Sequence, residues 1–195
     1  MSLSQVDVCN LALSRAGGHR ITQVASLGEA SNEARQCAVK LPQVTRTALR
    51  EHPWRFATKR APLALVGTGN GGFQYRYQYP TDCLLAREIE RGGIEPLPFE
   101  TDLGEDGTLN ILCDRPDAVL IYTAEVTDPN VWDALFYDAL AWQLAAELAV
   151  TLGNDGSKGK YLEERAAYAW DKARTADARE MQEKPQAGSY ILARD

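Results

Sequence analysis

Hydrophobic positions follow two periods along this chain, helical at both ends and alternating in the middle. From Ser4 to Ala16 the residues Val6, Cys9, Leu13 and Ala16 recur on one face, which predicts a helix. Ser4-x-x-Asp7 has the form of a capping box, with Asp as a shorter stand-in for Glu, and Gly17-Gly18 supplies a left-handed stop. A second helix is predicted from Ser31 to about Arg50, where Ala34, Cys37, Leu41, Val44 and Ala48 repeat every three or four residues. Pro42 lies inside it, and the missing donor and ring clash predict a kink or break near Ala38 to Leu41. His52-Pro53 ends the helix, because a residue before proline avoids helical dihedrals.

Residues 54–126 read as β-rich. Phe73 to Tyr79 alternates aromatic and polar side chains, which places four rings on one face of a strand. Cys83–Glu90, Ile94–Phe99, Thr108–Cys113 and Ala118–Val126 are further predicted strands. Turn-forming Gly, Asp and Pro residues between them imply antiparallel pairing.

Asp128-Pro129 is predicted to open a third helix that runs to about Leu152, with Gly153 ending it. Its apolar residues cover most of its circumference, so it is expected to be central and buried on several sides. Ser157 is predicted to cap a fourth helix to about Gln182, with a narrow stripe of Leu162, Ala166, Ala169, Ala173 and Ala176. The pattern predicts an α+β fold: an antiparallel four-helix bundle with an antiparallel β-module inserted between the helix pairs, and an extended C-terminal tail. The expected division is residues 1–53 and 127–182 for the discontinuous helical part, 54–126 for the β-module and 183–195 for the tail. Within the tail, Tyr190, Ile191 and Leu192 form an apolar triplet suited to docking.

Composition narrows the function classes. The chain has 195 residues, 45% apolar and 25% charged, enough for a core without disulfide or metal staples. No apolar run reaches membrane-spanning length, and the N-terminus lacks the pattern of a secretory signal. The net charge of −6 argues against a broad nucleic-acid-gripping surface. That charge is segregated. Residues 1–61 carry nine Lys/Arg and four Asp/Glu, whereas residues 62–155 carry four and sixteen. The contrast suggests two dissimilar faces, as in a part stacked between others.

Catalytic and cofactor motifs fail on inspection. Cys9, Cys37, Cys83 and Cys113 contain no C-x-x-C pair and are expected as reduced thiols, with no metal site. His19 and His52 stand without a catalytic arrangement in the sequence. Gly67 to Gly72 fits G-x-G-x-x-G, yet an alternating strand follows where a dinucleotide site needs a helix, so a hairpin loop is predicted. Gly153 to Tyr161 misses a phosphate loop at two required positions, and Asp102 to Cys113 misses a calcium loop at its twelfth. No catalytic residue, no metal site and no cofactor is expected.

The residues do carry a resemblance. Val6-x-x-Cys9-Asn10-x-Ala12-Leu13-x-x-x-Gly17, Ala34-x-x-Cys37, Pro42 with Val44, Arg50-x-His52-Pro53-Trp54-x-Phe56-Ala57, and Tyr77 through Pro80, Asp82, Cys83 and Leu84 occur in that order. This series resembles the head-to-tail adaptor (connector) proteins of tailed bacteriophages, the group of tail tubular protein A. His-Pro-Trp-x-Phe-Ala is its most specific part. The chain departs from the group's Asp-Pro-Val element with Leu41-Pro42-Gln43-Val44.

The resemblance implies a non-enzymatic virion protein, assembled in the host cytoplasm. Its expected form is a ring, usually of twelve copies, between portal protein and tail nozzle, extending the DNA channel for genome retention and ejection. Expected partners are the portal, the nozzle, tail fibre proteins and other copies of the chain. Double-stranded DNA would pass through unread, and no membrane is involved. By the same resemblance Tyr190, Ile191 and Leu192 would dock into the portal. Some of Glu95, Glu100, Asp102, Glu105, Asp106, Asp114 and Asp117 would face the channel or the nozzle, where acidity keeps duplex DNA mobile. Trp54 and Phe56 are expected to anchor the helix-to-sheet junction. Two other classes compete: a tail-associated cell-wall hydrolase, for which the paired acids are the only support, and a non-viral oligomeric binding module.

Overall fold

A computed structural model describes residues 3–22, 31–90, 97–152 and 156–180. Helix α1 (Gln5–Ala16) starts on the predicted capping box. Asp7 N–H donates to the Ser4 hydroxyl, Ser4 N–H donates to the Asp7 carboxylate, and Gly17 closes the helix at φ 83°. Helix α2 (Asn32–Glu51) is capped by Ser31 and runs through Pro42 without a break. Pro42 and Gln43 lie on the exposed side, where water can take the carbonyl that the proline leaves without a donor.

A 3-10 turn, Arg55–Ala57, leads into β1 (Thr58–Pro62), β2 (Leu65–Thr68), β3 (Tyr75–Gln78), β4 (Cys83–Ile89), β5 (Phe99–Leu103), β6 (Leu109–Cys113) and β7 (Val119–Ala124). Two helices follow, α3 (Ala134–Thr151) and α4 (Gly156–Glu180).

The α+β class stands, but the expected arrangement is corrected. The helices do not form an antiparallel four-helix bundle. Helix α3 is a hub packed extensively against α4, α1 and α2, whereas α1 and α2 meet only sparsely. Its apolar residues explain this. Phe136, Ala139, Leu140, Ala141, Leu144 and Leu148 are all buried, so the helix needs cover all round. Nor is there a single inserted β-module. The strands divide into a three-stranded sheet, β1-β7-β4, and a four-stranded sheet, β2-β3-β6-β5, all antiparallel. The chain crosses between the sheets repeatedly, because each has one apolar face and the two cover each other. Tyr77, Ile111 and Cys113 of one sheet share a core with Ile89, Leu120 and Tyr122 of the other.

The start of α3 also differs from expectation. Asp128-Pro129 does not open it. Asp128 accepts from Asn130 N–H in a turn, and Trp132 Nε1 donates to Val126 O at 2.9 Å, holding the segment out of the helix. Asp133 is the cap, accepting from Leu135 and Phe136 N–H groups. Helix and sheet layers are joined by Leu84 of β4, which lies in the helical core, and by Arg50, whose guanidinium donates to Leu84 O.

Candidate functional site

The four-stranded sheet turns one face to the core, and its other face is polar. Register places Arg76, Leu112 and Glu100 in one cross-strand row and Gln78, Asn110 and Asp102 in the next. The β2–β3 and β5–β6 turns wall this face into an open cup of about 590 Å³ whose polar lining includes Asn70, Arg76, Asp102, Glu105 and Asp106. Asp102 is held by Asn70 Nδ2 (3.3 Å) and faces the Arg76 guanidinium at 3.7 Å. The buried Nε of Arg76 has no hydrogen-bond partner.

The β5–β6 turn is stiff. Asp106 Oδ1 accepts from the Thr108 N–H (3.0 Å) and hydroxyl (2.7 Å), and these bonds, the hydroxyl's first, hold its carboxyl below the ordinary range. A Cβ at Gly104 would lie 2.7 Å from Asp106 Oδ1, so a side chain there would displace that carboxylate. Three carboxylates against one guanidinium leave the cup with an excess of negative charge. Among the described residues, no group of three or more His, Cys, Asp or Glu is disposed to hold a metal ion.

The acidic residues singled out from the sequence therefore do not form one patch. Asp102, Glu105 and Asp106 line the cup, and Glu100 is exposed on edge strand β5. Asp114 and Asp117 sit in the β6–β7 turn at the opposite end of β6, where Asp114 accepts from Gln74 N–H. Glu95 lies outside the described residues, as do Tyr190, Ile191 and Leu192.

Trp54 and Phe56 lie where α2 passes into β1, Phe56 inside the 3-10 turn and Trp54 at its start. Trp54 is 1% exposed, donates from Nε1 to Ala48 O, and meets Phe136 and Trp170 at ring distances of 5.0 and 5.9 Å. Phe56 stacks on Trp54 and also meets Phe136. His52 is a hidden member of this junction. It pairs with Asp177 of α4 at 2.8 Å, a long-range contact that sequence could not disclose.

Much of the basic third is matched by acids of the middle section. Arg15, Lys40, Arg46, Lys59 and Arg60 of the basic third pair with Asp138, Glu147, Glu125, Asp82 and Glu90 of the acidic middle. A separate basic face built from the N-terminal third is thus much reduced. A cationic and aromatic stripe, Tyr161, Arg165, Tyr168 and Lys172, lies elsewhere, on the exposed side of α4.

No family model matches the chain, and no curated protein matches it.

Proposed function

We propose that the chain is a structural head-to-tail adaptor of a tailed phage, forming a ring between portal and tail nozzle through which the genome is retained and ejected. The reading is carried by the His52-Pro53-Trp54-x-Phe56-Ala57 stretch, with the resembling motifs in order on either side. That stretch occupies a place worth marking with specific residues. It turns the chain from α2 into β1 while Trp54 and Phe56 fill the junction against α3. The chain works by holding neighbours and not by catalysis. In this reading the apolar Tyr190, Ile191 and Leu192 enter the portal. Of the acidic set, the exposed Asp114 and Asp117 of the β6–β7 turn face the channel or the nozzle rim, where they keep phosphate at a distance.

The test is sedimentation and electron microscopy of the purified chain mixed with purified portal rings. The expected outcome is a ring of this chain on the portal, lost on deleting residues 186–195. Absence of any portal complex sinks the reading, and turnover of peptidoglycan by the chain would put the hydrolase in its place.

A further inference from the structure

The solvent side of α4 carries Tyr161, Arg165, Tyr168, Lys172 and Arg179 at helical spacing, a stripe about 27 Å long at 1.5 Å per residue. The two tyrosines are 55% and 63% exposed. None of the three cations has a carboxylate within 4.0 Å among the described residues, whereas six cations of the N-terminal third do.

Arg165 is also pre-positioned. Its guanidinium lies 5.1 Å from the Trp142 ring centre of α3 and 5.7 Å from that of Tyr168. Arg15 of α1 lies over the same Trp142 ring at 4.0 Å and is tied to Asp138. A guanidinium already held by aromatic rings loses less conformational freedom when a partner arrives. Arg, Tyr and Trp are the residue types that anchor protein interfaces.

The same chain presents a complementary surface. Glu105 is exposed at the sheet cup and has no cation within 4.0 Å among the described residues; Glu100, exposed on the same sheet's edge strand β5, has none either. Stripe and cup belong to different layers, so a contact between them is heterologous: it joins one face of a copy to another face of the next.

We infer that the Tyr161–Arg165–Tyr168 stripe of one copy docks on the acid-lined cup of a second copy, with Arg165 set against Glu105. Such a contact repeats head to tail and closes into a ring if its rotation permits. The inference deepens the adaptor reading and rests on its premise of self-assembly. Duplex DNA is the other polyanion that a cationic stripe could meet. It is disfavoured because three cations on a chain of net charge −6 neutralise too few phosphates to hold a duplex.

The test is analytical ultracentrifugation of the full chain over a wide concentration range, without portal. Association is expected to rise with concentration and fall with salt. Arg165→Glu and Glu105→Arg should each weaken it roughly tenfold or more, with unchanged circular dichroism and melting temperature. Mixing the two variants should restore pairing, since the unaltered stripe of the Glu105→Arg chain can dock on the unaltered cup of the Arg165→Glu chain.

Wild-type chain that stays monomeric at every concentration overturns the inference. So does an Arg165→Glu variant that associates like wild type, or one whose only loss is binding of a short duplex. Self-association through these faces without portal binding would leave this inference standing and sink the adaptor reading. Portal binding with an Arg165→Glu chain that assembles normally would do the reverse.

Discussion

The helical layer and the paired sheets stabilise themselves in different ways. Around α3 the chain gathers rings: Trp54, Phe56, Trp132, Phe136 and Trp170 contact one another edge-on or stacked, and all four tryptophans of the chain belong to this layer. The sheets bury smaller groups and polar tips. Tyr77 and Tyr122 sink their rings into the shared core while their hydroxyls donate to Arg115 O (2.6 Å) and Asp82 Oδ1 (2.9 Å). One layer is an oily knot of packed rings. The other depends on protonation states and leaves a polar face outward. The contrast assigns anchoring to the helices and responsiveness to the sheets.

The largest effect is expected from the knot. Trp54→Ala removes a ring that touches three elements and orphans the Ala48 carbonyl, at a cost of about 3–5 kcal/mol. Urea unfolding should show it as a large fall in midpoint. An unchanged melting temperature would mean that the junction is not held by this ring.

Ile111→Ala in the sheet core comes next, at about 2–4 kcal/mol. It also asks whether the layers unfold together. Tryptophan fluorescence reports only the helical layer, whereas circular dichroism reports both. Leu84, Trp54 and Ala57 carry the chain from the sheets into the helical core, so coincident transitions are expected. A fluorescence transition left at its wild-type position while the dichroism shifts would separate the layers.

What could be read without coordinates followed from local chemistry. The Ser4–Asp7 capping box, the Gly17 stop and the His52-Pro53 end are decided by residues within one turn, and each is where it was predicted. The start of α3 shows the limit of that reading. Asp128 and Asp133 both have capping chemistry, and only the Trp132–Val126 hydrogen bond, which depends on tertiary packing, decides between them. The division into two sheets was illegible because partners are remote: Thr58 pairs with Thr123 and Cys83 with Ala124. The acidic set misled in the same way. Asp106 and Asp114 are near in sequence, yet a strand of five residues, about 17 Å, stands between their turns.

A smaller effect separates the layers by pH. Burial first, and then the bond to the Asp82 carboxylate, raise the Tyr122 phenol from near 10 to about 12. Because the folded state holds the proton more tightly, this contribution is complete below pH 10 and is lost as pH rises from 10 towards 12. Tyr79, also raised to about 12 by burial, acts in the same direction. Thermal scans of wild type should therefore decline through this window, and Tyr122→Phe should decline less. Equal slopes would show that the sheet core does not feel this ionisation.

The smallest stability effect is expected where the proposed contact is strongest. Glu105 is exposed at the tip of the β5–β6 turn and meets no cation of its own chain within 4.0 Å among the described residues. Glu105→Gln should therefore change unfolding free energy by no more than about 0.5 kcal/mol. The turn's geometry is kept by Asp106, Thr108 and Gly104, none of which is altered. The same substitution should flatten the salt dependence of self-association, because one charge is removed from a contact held partly by charge. A marked loss of stability would mean that Glu105 supports the turn, and its acidity would then need no partner to explain it. Unchanged stability with unchanged salt dependence would leave the cup without a role in assembly. Only the combination of silent stability and altered association keeps the two layers distinct in purpose, the knot holding the subunit together and the polar face holding its neighbour.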